Sequence, residues 1–279
     1  MHGKTIVITG ATSGIGAAAA YSLARRGGRI VFIARDRQRG QTTLAKLRSI
    51  APQSDHQVHY ADLSRIEEMK RVATDIATRE QRIDVLINNA GILANSRQVT
   101  LDGLEVTFAV NHLAYFIVTH LLRDRLAPNA RIVNTASRAH ARGNIVFDDL
   151  QSARRYAGFE VYSMTKLCNV LFTRELAKRL AGTNITVNCL SPGFVASRWG
   201  ANSGGLMQHV LSVGKVFARS PDKGAETLVY LASADDVANV TGGYFHDCKL
   251  IEPSAQAKNA ECAQRLWEVS AKLAGLSTQ

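Results

Sequence analysis

Short apolar runs rich in β-branched residues recur along the chain at 5–9, 30–33, 58–60, 85–87, 131–135 and 186–190. Between them, apolar and polar positions repeat at helical period over 17–26, 41–50, 67–79, 104–122 and 162–180. A strand that is apolar along its whole length has both faces covered, as in a parallel sheet. Strands alternating with helices build βαβ units. The pattern therefore predicts an α/β fold, a single doubly wound domain with a central parallel β-sheet flanked by helices on both faces. No internal repeat, low-complexity tract or proline-rich linker breaks it, and residues 1–279 are read as one domain.

Composition first narrows the picture by exclusion. Hydrophobic residues make up 46% and charged residues 20% of the chain. That balance is globular and excludes a disordered or collagen-like chain. Cys168, Cys189, Cys248 and Cys262 form no CxxC pair, so free thiols are expected and a metal site is not. Met1-His2-Gly3-Lys4 leads straight into the first strand. No apolar run reaches the roughly 18 residues that mark a membrane-spanning helix. The expected location is cytoplasmic, with peripheral membrane contact left open. The net charge of +11 says more. An excess of that kind suits an anionic partner: nucleic acid, an anionic membrane or a phosphorylated ligand. Aromatic residues are only 6% and do not interleave with basic ones, so nucleic acid is not an expected partner.

Two motifs carry chemistry. Thr9-Gly10-Ala11-Thr12-Ser13-Gly14-Ile15-Gly16 stands between the first strand and the first helix. Glycines there let the chain turn tightly and bring backbone N–H groups close to a pyrophosphate. The helix that opens near Ile15 turns its positive end toward the same anion. This spacing in this position predicts a dinucleotide site, against the alternative of a plain turn. Tyr162-Ser163-Met164-Thr165-Lys166 is a Tyr-x-x-x-Lys on a helical stretch. Residues four apart share a helix face. A free phenol ionises near pH 10. A neighbouring ammonium, together with the cationic ring of an oxidised nicotinamide dinucleotide, favours phenolate, so a lowered tyrosine pKa suited to acid–base work is expected.

With these motifs the chain resembles the short-chain dehydrogenase/reductase family, which has a Rossmann-type fold. The turn at 9–16, Asp62-Leu63 after the third strand, Asn88-Asn89-Ala90-Gly91 after the fourth and the Tyr-x-x-x-Lys occur in the family's order. The resemblance runs from residue 4 to about 274. It implies an NAD(P)-dependent oxidoreductase. The implied cofactor contacts are Gly10, Thr12, Ser13, Gly14, Ile15, Gly16, Arg35, Asp62, Leu63, Asn89, Ala90, Gly91, Tyr162, Lys166, Pro192 and Val195. The implied catalytic set is Asn111, Ser137, Tyr162 and Lys166. Within it Ser137 holds the substrate oxygen, and Tyr162 donates or accepts the proton. Lys166 bonds the nicotinamide ribose and tunes the phenol, and Asn111 joins a proton relay. Asp62 would bond the adenine ring, and Pro192-Gly193-Phe194-Val195 would lead over the nicotinamide.

The second strand bears on which nicotinamide is used. An NAD site usually ends that strand with an acid that bonds the ribose 2′-OH. Here Ala34 takes the place and Arg35 follows. A guanidinium pairs well with a 2′-phosphate, so NADP(H) is expected over NAD(H). Asp36 could take the acid's role if the loop shifted by one residue. Between Arg25 and Arg48 eight basic residues stand against the single acid Asp36. The charge excess is accordingly read as attraction for one phosphorylated dinucleotide, gathered around the end of the second strand, with Arg35 and Arg39 in contact and most of the other cations solvated on helix faces, adding only a long-range field.

Residues 194–220 are where the family builds its substrate lid. Leu206, Val210, Val213 and Phe217 fall there at helical spacing. They predict either an apolar lid or an ordinary amphipathic helix on the core. Asp102-Gly103-Leu104-Glu105, Val110-Asn111-His112-Leu113 and Tyr244-Phe245-His246-Asp247-Cys248-Lys249 look like the retinol dehydrogenase-like branch, which also holds the WW-domain oxidoreductases. That branch implies a small-molecule substrate that is a bulky apolar aldehyde, ketone or alcohol. It also implies homo-oligomers formed through the helices at 104–122 and 162–180. His112, His140 and His209 are read as surface or pocket-wall residues, since they stand at no metal-ligand spacing. A non-catalytic dinucleotide sensor or scaffold on the same fold is the competing reading. The intact Ser, Tyr, Lys and Asn set speaks against it.

Overall fold

The computed structural model describes residues 1–195 and 219–278. Among the described residues eight strands form one sheet in the order β3-β2-β1-β4-β5-β6-β7-β8. They are β1 (Thr5–Thr9), β2 (Arg29–Ala34), β3 (Gln57–Tyr60), β4 (Ile83–Asn88), β5 (Leu126–Thr135), β6 (Thr186–Ser191), β7 (Tyr244–His246) and β8 (Lys249–Ile251). Every pairing is parallel except that of β7 with β8. All residues of β4 and β6 are buried, as strands covered on both faces must be.

Helices cover both faces. α1 (Gly14–Arg25), α2 (Arg37–Ile50) and α7 (Pro221–Ser233) close one apolar layer with Ile6, Ile8, Phe32, Ile87 and Leu228. The other layer is closed by α3 (Ile66–Arg79), α4 (Val106–Phe108), α5 (Ala114–Leu122), α6 (Gly158–Arg179) and α8 (Ala260–Ala274). Caps mark several helix starts. Asp36 accepts from the Arg39 N–H at α2 and Ser220 from the Lys223 N–H at α7. Asp102 reaches across from a distant loop to the Ile66 N–H of α3 at 2.9 Å.

The expected helix at 104–122 is not one α-helix. Between α4 and α5 the chain makes a π-helical turn, Ala109–Leu113. The helix also starts later than expected, because Glu105 bridges to Val99 and its carboxylate caps the Phe108 N–H. The sheet, expected to be parallel, gains one antiparallel edge. Its tight turn puts Asp247 and Cys248 in the left-handed region, at φ 48° and 58°, as a two-residue hairpin with native twist requires. Three-residue strands are too short to announce themselves by alternation.

β1 lies between β2 and β4, so chain direction across the sheet reverses at the β1/β4 boundary. In open α/β sheets the crevice beyond the carboxyl ends at such a reversal receives ligands. The turns after β1, β4, β5 and β6 all emerge there.

Candidate active site

The glycine turn is shaped by contacts that exclude side chains. A Cβ on Gly10 would stand 2.8 Å from the Ala90 Cα, and Gly10 holds φ at 73°. A Cβ on Gly16 would collide with the Gly10 carbonyl and the Asn89 amide. Asn89 and Ala90 brace the turn in return. Their N–H groups donate to Thr9 Oγ1 at 2.9 and 3.0 Å. The Asn89 amide donates to the Thr9 and Gly10 carbonyls at 3.2 and 3.1 Å. The expected contact residue Asn89 thus spends its side chain on holding the turn. Ser13 opens α1 without a side-chain cap, which leaves the N–H groups of the first helical turn open to an anion. The turn therefore fits the pyrophosphate of a dinucleotide, with Thr12, Gly14 and Ile15 beside it. Val195 joins this region, since it and Ile15 both pack against the Gly224 position of α7. Pro192 opens the same turn after β6.

Arg35 is exposed immediately after β2. Asp36 is committed as the α2 cap, with Oδ1 2.8 Å from the Arg39 nitrogen. Asp62 folds its own loop by accepting from the N–H and hydroxyl of Ser64 at 3.0 and 2.8 Å. Leu63 belongs to the core.

The four residues expected to act together stand together. Lys166 and Tyr162 project from one face of α6, the Lys166 Nζ lying 5.5 Å from the Tyr162 ring centre. Nζ donates to the Thr135 carbonyl at 2.9 Å. Asn111 lies in the π-helical turn, and its Oδ1 accepts from the Ile92 N–H at 2.7 Å. Its Nδ2 donates to the Ile92 carbonyl at 2.9 Å and to Thr165 Oγ1 at 3.1 Å. Gly91 sits beside both, since a Cβ there would be 3.4 Å from Asn111 Oδ1 and 3.6 Å from Lys166 Nζ. Ser137 follows β5 in extended backbone, and its hydroxyl neighbours the Tyr162 phenol.

The electrostatics differ from the sequence expectation. Burial pushes Tyr162 up to about 12, and the Ser137 hydroxyl opposes that rise. Burial pulls Lys166 down to about 7. The lowering expected from the ammonium and an oxidised nicotinamide ring together is therefore not present in the chain by itself. Both groups have given up water, and desolvation disfavours the charged form of each.

Several residues escaped the sequence reading. Tyr115 lies one turn beyond Asn111 and is fully buried, with the Lys166 ammonium 5.9 Å from its ring centre. Its spacing of four from Asn111 was the available signal. Arg219 reaches back over Gly193, donates its N–H to the Phe194 carbonyl and pairs with Asp247. Nothing local in sequence marks it. His112 and His140, read as surface or pocket-wall residues, are both buried. His209 and the apolar positions 206, 210, 213 and 217 lie outside the described residues.

Nucleotide-binding oxidoreductases combine this sheet order with a glycine turn at the reversal point, and that is the class the fold and site define. The short chain dehydrogenase family profile matches residues 4–204. Human retinol dehydrogenase 13 is 39% identical over 282 residues, covering 98% of this chain and 85% of that protein. Mouse retinol dehydrogenase 12 is 41% identical over 276 residues, covering 98% and 87%. Among solved structures, an uncharacterized protein from Mycobacterium paratuberculosis superposes with a TM-score of 0.80 at 32% identity, over 100% of this chain and 96% of that one. A blue fluorescent protein from a metagenomic library, in complex with NADPH, has a TM-score of 0.70 at 25% identity, over 88% and 96%. The chain belongs to the short-chain dehydrogenase/reductase family, in its retinol dehydrogenase-like branch.

Proposed function

We propose that this oxidoreductase uses NADP(H) to interconvert a carbonyl and an alcohol on a bulky apolar small molecule. The observation that carries the reading is the convergence of Ser137, Tyr162, Lys166 and Asn111 beside the glycine turn. When bound, the nicotinamide supplies or accepts the hydride. The chain's own residues do the rest. The Ser137 hydroxyl holds the substrate oxygen and stabilises charge as it develops there. Tyr162 gives its proton to that oxygen in the direction of reduction and takes it back in oxidation. A phenol held near 12 by burial is protonated at neutral pH, which suits the reductive direction. Lys166, gripped by the Thr135 carbonyl, stands beside the phenol and Asn111, where it binds ribose and moves a proton.

Arg35 and the capped Asp36 support NADP(H). The guanidinium is exposed and can meet a 2′-phosphate, while the neighbouring Asp36 already serves as the α2 cap. The NADPH bound by the metagenomic relative and the names of the retinol dehydrogenases support the same cofactor and an apolar substrate class. The test is NADPH oxidation followed at 25 °C with a panel of long-chain and ring-bearing aldehydes. Turnover is expected, and Tyr162→Phe is expected to lose about 100-fold or more. Near-parental turnover in Tyr162→Phe would remove the proposal.

A further inference from the structure

Ser137 precedes a 3-10 turn, Arg138–Arg142, and the imidazole at the middle of that turn is enclosed by the fold. His140 is buried and stands edge-on to the Tyr244 ring of β7, with centres 4.7 Å apart. Both ring nitrogens are engaged. Nε2 lies 3.1 Å from the Ser254 backbone nitrogen. A backbone N–H can only donate, so Nε2 accepts and carries no proton. Nδ1 lies 2.7 Å from the Ser137 carbonyl oxygen. A carbonyl can only accept, so Nδ1 carries the proton. Two backbone groups more than a hundred residues apart in sequence thus select one neutral tautomer.

The location gives that selection a consequence. A single 3-10 turn has poor hydrogen-bond geometry and little rigidity of its own. Within this one, the Ser137 carbonyl accepts from the His140 N–H at 3.1 Å, and the Ser137 hydroxyl accepts from the Ala139 N–H at 3.1 Å. The imidazole adds a second grip on the same carbonyl and anchors it to the segment that follows β8. We propose that His140 is a positioning residue, which ties the Ser137 carbonyl to Ser254 and thereby sets where the Ser137 hydroxyl stands. The inference rests on the role given to Ser137 above.

Three substitutions split the tether. The Asn amide reaches as far as Nδ1, so His140→Asn can keep the bond to Ser137 and loses the one to Ser254. The longer Gln amide reaches as far as Nε2, so His140→Gln can keep the bond to Ser254 and loses the one to Ser137. His140→Phe keeps the ring against Tyr244 and loses both. The expected result is a fall in kcat of about tenfold or more in all three, because each cuts the tie at one end or both and small misplacements of a positioned group are costly to turnover. KM for NADPH is expected to stay unchanged. The effect should act through the serine. In a Ser137→Ala background, already slowed, His140→Phe should cost nothing further. Nitrogen-15 NMR of the parent should show the Nδ1-protonated neutral ring.

Parental kcat in His140→Asn or His140→Gln, an undiminished His140→Phe effect in the Ser137→Ala background, or an Nε2-protonated ring would overturn the inference and leave the reading of Ser137 intact. Parental turnover in Ser137→Ala would instead remove that reading, and this inference with it. The NMR result stands even where a substituted chain fails to fold.

Discussion

At the scale of single residues, burial decides the chemistry. Lys166 is held at about 7 against an ordinary 10.5. Between those values the unfolded chain holds a proton that the folded chain has released, so stability rises with pH through that window. Below pH 7 both states are protonated and the full burial cost is present. Tyr162, held at about 12, works in the opposite direction above pH 10. In cofactor-free protein, urea titrations at pH 7 and pH 9.5 should show the parent gaining stability relative to Lys166→Met by up to roughly 1.4 kcal/mol per pH unit. A gain shared equally by parent and variant would mean that the lysine keeps its charge. Arg35 raises a separate expectation. Arg35→Ala should weaken NADPH binding by about 1–3 kcal/mol, the loss of charge-assisted hydrogen bonds, with NADH little changed. Titration calorimetry with both cofactors checks this, and an equal loss for both would count against the proposed preference.

At the scale of elements, the glycine turn depends on its neighbour strand as much as on its glycines. Thr9 Oγ1 receives two N–H groups from the turn after β4. Thr9→Val keeps the shape and strands both donors. It should cost about 1–3 kcal/mol by chemical denaturation and weaken dinucleotide binding as the turn relaxes. The π-helical turn does comparable work for Asn111. One wider turn redirects the side chain toward Ile92 and Thr165 within an otherwise α-helical stretch. Such turns occur often at functional sites. In sequence the stretch is plainly helical, because apolar periodicity over so few residues does not separate 3.6 from slightly more residues per turn. The glycine spacing and the Tyr-x-x-x-Lys were legible because each is local. The grip of Asn89 on Thr9 and Gly10, and of Ser254 on His140, was not.

At the scale of the whole molecule, the basic cluster comes apart. Arg29 opens β2 at the end away from the glycine turn and pairs with Glu80 and Asp55. Arg26 donates to Ser233. Lys46 and Arg48 lie at the far end of α2, about 15 Å along the helix from its start. Arg35, Arg37 and Arg39 remain near the carboxyl end of β2, and Arg37 stacks on Tyr60 with its guanidinium 4.8 Å from the ring centre. The sequence reading expected contact from Arg35 and Arg39 and only a long-range field from the others, and of the eight cations these two and Arg37 stand just after β2. The helices through which association was expected are also covered in part. Trp267 of α8 packs on Phe116 at 4.9 Å and Phe172 at 5.9 Å, and Ser270 bonds to His112 at 2.8 Å. Deleting residues 259–279 would uncover those rings. The shortened chain should associate or aggregate at concentrations where the parent shows one sedimenting species. Unchanged sedimentation would show that α8 does not shield this face. Among the described residues no helix is long and apolar enough to cross a membrane.

The amino-acid sequence by itself determined the alternation of strands and helices, the glycine turn and the pairing of Tyr162 with Lys166. Each depends on residues within a few positions of one another, and local periodicity records them. The tertiary structure alone decided the antiparallel edge at Tyr244–His246, the burial of His112 and His140, and the direction of the Tyr162 and Lys166 pKa shifts. Those depend on which distant segments exclude water from a side chain or meet its polar atoms. That is a property of packing, and spacing along the chain does not record it.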